Sequence, residues 1–244
     1  MVTVGVDLAS TEKKTGICRI AWASGRGIVE ELHTGVANRE LLSLLDSSDI
    51  DKVGIDVPLG WPEAFVHAVQ QHHSMDGWPQ CEVQDLRLRC TDKFVNEQLR
   101  GSVLSVSSDR IAVPAFRAAA LFAEYKTPID RSGLEKICEV YPAGALRRWD
   151  LPSRGYKRKK NRGQRCDLLT KLLAKTNGWL EVTENYCECC RDRDDAFDAL
   201  VASLVARAAA RNLVEAFPDE RRELVSREGW IALPVPGSLE KLAS

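Results

Sequence analysis

The sequence lacks an excess of charge of either sign: 34 Lys and Arg stand against 35 Asp and Glu, a formal net charge of −1 over 244 residues. With 44% hydrophobic and 28% charged residues it has the balance of a globular protein with a substantial core. Any contact with a polyanion must then come from a local basic segment. No apolar run reaches the roughly 18 residues of a membrane span. A charged-then-apolar leader is also missing, so the expectation is a cytoplasmic protein with neither signal peptide nor membrane partner. There are no internal repeats, low-complexity segments or interdomain linkers, and one domain over residues 1–244 is the expected organisation. Histidine is scarce, at four residues. None lies near Cys187, Cys189 and Cys190, whose C-x-C-C spacing is not the paired C-x-x-C of a structural zinc site. The eight cysteines are expected as reduced thiols, these three in a loop. His72 and His73 are adjacent and point different ways on a helix, which makes them poor joint ligands.

What is present begins with Val2-Thr3-Val4-Gly5-Val6-Asp7-Leu8-Ala9, whose alternation predicts a strand that carries Asp7 to its end. Alone, such an Asp is an ordinary turn residue. Ile17 to Ala23 and Ile28 to Val36 read as further strands, and the Ser24-Gly25-Arg26-Gly27 turn between them predicts an antiparallel meander. Asn38 is placed to cap a helix from Arg39 to Leu45. Lys52 to Gly60 reads as a buried strand, stopped by Pro58 and Gly60, that carries Asp56. The strand–helix–strand spacing predicts a right-handed crossover laying it parallel to the first strand.

Residues 61–110 have mixed periodicity and read as a helical insertion. Within it, Arg87-Leu88-Arg89-Cys90-Thr91-Asp92 can hold a phosphate or orient a carboxylate. It can equally be a solvated helix start capped by Thr91. Pro114 to Tyr125 reads as a helix, Ile137 to Pro142 as a short strand carrying Glu139, and Ala143 to Trp149 as a helix. Ser153 to Arg165 is the one strongly basic tract, with Lys157, Arg158, Lys159 and Lys160 in succession and Gly155, Tyr156 and Gly163 interleaved. Such a tract is either a solvated loop or a phosphate-backbone contact. Helices are expected at Cys166 to Lys175, Asp192 to Arg211 and, weakly, Asp219 to Arg227, before an apolar segment, Gly229 to Pro234, that docks the C-terminus.

The Asp192 to Arg211 helix carries Asp195 and Asp198, spaced i, i+3 and therefore on one face. Acids in a first helical turn answer the helix dipole, which accounts for Asp192 and Asp194. Asp198 lies beyond that turn among Phe197, Ala199, Leu200 and Val201, where an ionised carboxylate needs a cation or a donor. Asp7, Asp56, Asp195 and Asp198 are thus four acids in apolar settings on three elements. Gathered in a core they would repel one another, and a divalent cation resolves the conflict. Oxygen ligands without clustered His or Cys favour Mg²⁺ or Mn²⁺. Two such ions, roughly 3.5–4 Å apart and bridged by one carboxylate, make a phosphoryl-transfer site.

Three antiparallel strands, a helix, a parallel fourth strand and a late acidic helix resemble the ribonuclease H-like superfamily, and Asp195-x-x-Asp198-Ala199 is similar to the pairing in RuvC-type Holliday junction resolvases. Six motifs in order resemble the family called domain of unknown function 429: Gly5-Val6-Asp7-Leu8-Ala9, Gly54-Ile55-Asp56-Val57-Pro58-Leu59-Gly60, Arg89-Cys90-Thr91-Asp92, Glu139-Val140-Tyr141-Pro142, Asp194-Asp195-Ala196-Phe197-Asp198-Ala199-Leu200 and Glu228-Gly229-Trp230-Ile231. The likeness runs from residue 4 to about residue 234. It implies an α/β fold with a ribonuclease H-like mixed sheet, and a predicted nuclease that hydrolyses phosphodiester bonds with two metal ions. By the same resemblance, Asp7 is the bridging ligand, Asp56 the second-strand ligand, and Asp195 and Asp198 complete the catalytic, metal-binding set. Two departures stand out. Resolvases place Glu near the fourth strand where this chain has Asp56, and Glu139 and Asp92 have no counterpart in the minimal set, which leaves them open as extra ligands, substrate contacts or structural partners of Arg89. Substrate contacts are expected from Arg89, Asp92, Glu139 and Lys157 to Lys160, with nucleic acid as the partner.

Two other readings stay open. An actin-like or sugar-kinase-type nucleotide-binding phosphotransferase shares the strand order, but needs a duplicated domain and glycine-rich phosphate turns, and Ser10 to Gly16 has none. A nucleic-acid-binding module without catalysis predicts a degraded acid set, whereas all four positions are acidic.

Overall fold

The computed structural model describes residues 1–101, 103–125 and 127–243. Strands β1 (Val2–Asp7), β2 (Gly16–Ala23) and β3 (Arg26–Thr34) form the expected antiparallel meander. The crossover helix α1 (Asn38–Asp46) then returns the chain to β4 (Lys52–Asp56), which pairs parallel to β1 in a register that sets Asp7 directly beside Asp56. Strands β5 (Ile137–Glu139) and β6 (Leu180–Glu181) add parallel edges, giving one six-stranded mixed sheet in the order β5-β4-β1-β2-β3-β6. Helices flank it on both sides, so the α/β class and the mixed, ribonuclease H-like sheet are those the sequence implies.

Strand alternation assigns the two faces. Val4, Val6 and Leu8 of the first segment, with Val53 and Ile55, pack against Leu41 and Leu45 of α1 and against Ala118 and Leu121 of α5 (Ala112–Tyr125). The opposite face of β1 and β4 presents Thr3, Gly5 and Asp7 beside Gly54 and Asp56. Over it lies α9 (Asp194–Ala210), buried along most of its length, with α6 (Pro142–Arg148), α7 (Arg162–Lys175) and α8 (Glu184–Asp192) packed around it. Gly5 and Gly54 let this helix lie directly on the sheet. A Cβ at Gly5 would run into the Ala199 carbonyl and the Ser203 nitrogen, and one at Gly54 would sit 2.7 Å from the Ala202 carbonyl. Thr3 Oγ1 and Ser203 Oγ, 3.0 Å apart, seal the same seam. Two residues further along each strand, this close approach puts Asp7 and Asp56 under the first turns of α9.

The 61–110 segment carries α2 (Glu63–His73), α3 (Val83–Arg87) and α4 (Cys90–Leu99), and α10 (Arg222–Glu228) packs against α2 and α4 near the end of the chain. Several local expectations need correction. Asn38 is the first residue of α1 and makes no cap; its Oδ1 accepts hydrogen bonds from Arg117 Nε and Nη2 at 3.0 and 2.7 Å. Thr91 lies inside α4, after Arg89 at the cap position, and accepts the Ile231 amide at 2.8 Å. Cys187, Cys189 and Cys190 ride on a helix, α8, because Cys187 and Cys190 at i, i+3 give it a buried face. The helix expected from Asp192 starts at Asp194, after a break at the extended residue Arg193. All eight cysteines are free thiols. Among the described residues, no helix is long and apolar enough to cross a membrane.

Candidate metal centre

Strand register and helix placement bring three of the four expected acids together. Asp7 and Asp56 end adjacent parallel strands, and Asp198 faces them from the second turn of α9; one carboxylate oxygen from each lies within 4.8 Å of the others. Asp7 and Asp56 are half-buried, and Asp198 is 1% exposed. Tyr156 donates a 2.7 Å hydrogen bond from its hydroxyl to Asp198 Oδ1. The other oxygen, Asp198 Oδ2, is buried and without a hydrogen bond of proper geometry, but lies 2.6 Å from the Lys157 ammonium.

Three carboxylates facing one ammonium leave the group short of positive charge. Burial, then Asp198 and Asp56, push the Asp7 carboxyl well above the usual carboxylate range, with Lys157 opposing. Burial likewise lifts Asp56 to about 7, with Lys157 pulling down while Asp198 and Glu139 push up. Burial and the Asp198 charge hold Tyr156 far above the ordinary phenol value, so its hydroxyl stays a donor. A hard divalent cation fits this donor set: three carboxylates from rigid elements, one of them with an orphaned buried oxygen, and no soft ligand among them.

Asp195 is not part of the group. Its carboxylate turns to Arg193, 2.7 Å from Nη2, and reaches Asp7 only through its field. A shared helical face brought Asp195 to the right end of α9, but in the first turn a neighbouring guanidinium captures it.

The expected substrate residues divide into two sets. Arg89, Asp92 and Glu139 border the same cavity as the acids but are occupied with one another. Arg89 donates from Nε and Nη2 to the two oxygens of Asp92 at 3.0 and 2.9 Å, and from Nη1 and Nη2 to the two oxygens of Glu139 at 2.7 Å each. Glu139 Oε2 also accepts the Leu59 amide at 2.9 Å, which fixes the segment leaving β4. Lys157 points into the acids, whereas Arg158 and Lys159 line a surface cleft with Lys13, Lys14, Asp194 and Asp195. Lys160 is exposed on the turn that precedes α7.

The cavity has a volume of about 300 Å³. Its polar side holds Asp7, Asp56 and Lys157, and its apolar side is formed by Leu8, Val57, Pro58, Leu104, Ile111 and Pro114. Sequence reasoning missed Tyr156 as a partner of the acids, and Lys13 and Lys14 as part of the basic cleft. For Tyr156 a signal existed: it is the one aromatic in a tract of cations. A second grouping, Glu31, His33 and Glu40, is half-buried, with His33 Nε2 3.1 and 3.2 Å from the two glutamates, an ordinary arrangement for ion pairs near the surface.

The chain belongs to the family described as Protein of unknown function (DUF429), whose model matches residues 5–223 and so spans all four acids. No curated protein and no solved structure matches it.

Proposed function

We propose that this protein is a divalent-metal-dependent nuclease that hydrolyses phosphodiester bonds. The observation that carries the reading is the convergence of Asp7, Asp56 and Asp198 within 4.8 Å, on three separate elements and with too little positive charge to balance them. Asp7 is central, next to Asp56 in strand register and facing Asp198. A bound Mg²⁺ or Mn²⁺ supplies Lewis acidity toward the phosphoryl group and toward water. The protein's part is to hold the three carboxylates in place, to keep Asp198 oriented through Tyr156, and to shield one side of the site with the apolar wall of the cavity. The resolvase-like form with two ions would also enlist Asp195, now paired with Arg193.

Nucleic acid is the partner this reading favours. Lys13, Lys14, Arg158 and Lys159 gather beside the N-terminus of α9, and none has an acidic ion-pair partner among the described residues. Such a rim suits a phosphate backbone crossing the acids. On the same reading the chain works as one ribonuclease H-like domain with residues 61–110 as an insertion, in the cytoplasm, where its eight free thiols stay reduced.

The test is metal-dependent cleavage of a panel: single strand, duplex, RNA–DNA hybrid and branched junction. Wild type should cut at least one member in Mn²⁺ and none in a chelator, and Asp7→Asn should lose on the order of 100-fold or more in rate. Equal residual cleavage by both proteins would overturn the reading.

A further inference from the structure

The most unusual feature of the acidic group is the lysine inside it. Lys157 Nζ lies 2.6 Å from Asp198 Oδ2. Its side chain is 51% exposed, so it borders the acids while remaining open to a ligand in the cavity. Asp195, the carboxylate that a second metal ion would need, is held 2.7 Å from Arg193. The site therefore offers ligands for one ion and already contains a second cation.

The backbone around Lys157 is built to keep it there. On one side, the Tyr156 hydroxyl donates to Asp198 and the Tyr156 carbonyl accepts from the buried Arg165 at 2.7 Å. On the other, the Arg158 amide donates to Asp194 Oδ2 at 2.9 Å and its carbonyl accepts from Arg165 at 3.3 Å. Arg158 itself sits at φ 80° and ψ 152°, a conformation open to glycine and costly for a residue with a Cβ. A lysine that had merely swung onto a vacant acid would need none of this. Two residues of α9, Asp194 and Asp198, and one of α7, Arg165, clamp the strained segment that carries it.

We infer that the centre is a single-ion site in which Lys157 is the permanent second cation, placed to neutralise the phosphate oxygens of the substrate. This rests on the nuclease reading for its chemistry, but not for its test. In the hydrolysis, a water oxygen bonds to phosphorus, the bond from phosphorus to the leaving oxygen breaks, and a proton originating from that water ends on the leaving oxygen. Lys157 keeps its own protons throughout and contributes charge and hydrogen bonds. As a group that touches the substrate it is a catalytic residue.

The experiment is a count of Mn²⁺ ions bound per chain, by calorimetry and by electron paramagnetic resonance, on the full-length protein without substrate. Wild type should take up one ion. Lys157→Met, which removes the resident cation from beside three carboxylates, should bind Mn²⁺ at least ~10-fold more tightly and accept a second ion that draws Asp195 from its partly exposed pairing with Arg193. Lys157→Arg should return to one. Two ions bound by wild type would overturn the inference whatever the variants do, and so would a Lys157→Met protein, folded by its melting curve, with unchanged affinity and a single ion. Wild type that binds no Mn²⁺ at all would overturn both this inference and the metal-dependent nuclease reading. One ion bound without any cleavage of the panel would leave the single-ion site standing and remove the nuclease.

Discussion

Two sets of carboxylates meet at one cavity, and they differ in how their charge is answered. Asp92 and Glu139 share a guanidinium that meets both oxygens of each. Nearby, Glu228 accepts the Cys90 and Glu63 amides at 2.6 and 2.7 Å. Every charged oxygen there has a donor, and the group ties β5, α4 and the start of α2 together. Asp7, Asp56 and Asp198 have one ammonium and one phenol among three carboxylates, and two of the three are driven toward the neutral form. The saturated set is a scaffold. The unsaturated set holds repulsion that a bound proton or a further cation relieves, and a chain that keeps such a site gains nothing from it in stability. That contrast separates site from scaffold among residues that look alike in a list of buried acids.

Unbalancing the scaffold should have the largest effect. Arg89→Met strands two carboxylates in the interior and should destabilise the protein by about 3–5 kcal/mol, read from denaturant unfolding. A variant as stable as wild type would mean that the network is not structural. The opposite sign is expected at the acidic centre. Asp56→Asn removes a repelling charge and should raise the stability of the metal-free protein at pH 8 by about 1 kcal/mol or more.

The same asymmetry fixes a pH dependence. Because the Asp56 carboxyl is raised from 3.8 to about 7 on folding, the native state binds more protons than the unfolded one between those values. Metal-free stability should therefore fall as pH rises from about 4 to about 7, with Asp7 acting in the same direction. Saturating Mn²⁺ should reverse the trend, since the ion competes with those protons. A thermal-melting series with and without Mn²⁺ reads both; identical slopes would contradict the assignment of these carboxylates to a metal.

The smallest effect belongs to the basic rim. Replacing Lys13 and Lys14 with Gln should weaken binding of a single-stranded probe and reduce its salt slope by roughly 0.7 per lost phosphate contact. An unchanged slope would leave the rim a solvated surface, and melting temperature should not move in either case.

How much of this was legible in the sequence depends on whether the deciding contact was local. Asp7 and Asp56 were readable because strand alternation and a crossover fix their register, and Asp198 because an acid among Phe197, Ala199 and Leu200 demands a partner. Asp195 shows the limit. Helical spacing placed it on the right face, but a side chain two residues away, Arg193, decides where its carboxylate points. Lys157 was legible only as one of four expected substrate contacts, Lys157 to Lys160; its place against Asp198 depends on a tertiary clamp that singles one cation out of the run. The Arg89–Asp92 spacing was visible and a structural partnership of Glu139 with Arg89 was one of three open readings, but only the contact made 50 residues on selects it over a metal ligand or a substrate contact. The two-residue strand β6 offers too little periodicity to read, and α8 reads as a loop because its buried face is made of cysteines.

Where a divalent cation binds decides between a metal centre and a cluster of strained acids. The most direct measurement is a crystal structure of the protein soaked in Mn²⁺, with the ion located by its anomalous signal. The expected result is one site bounded by Asp7, Asp56 and Asp198, with the Arg89 network unchanged beside it. Density elsewhere, or none between those three carboxylates, would contradict it.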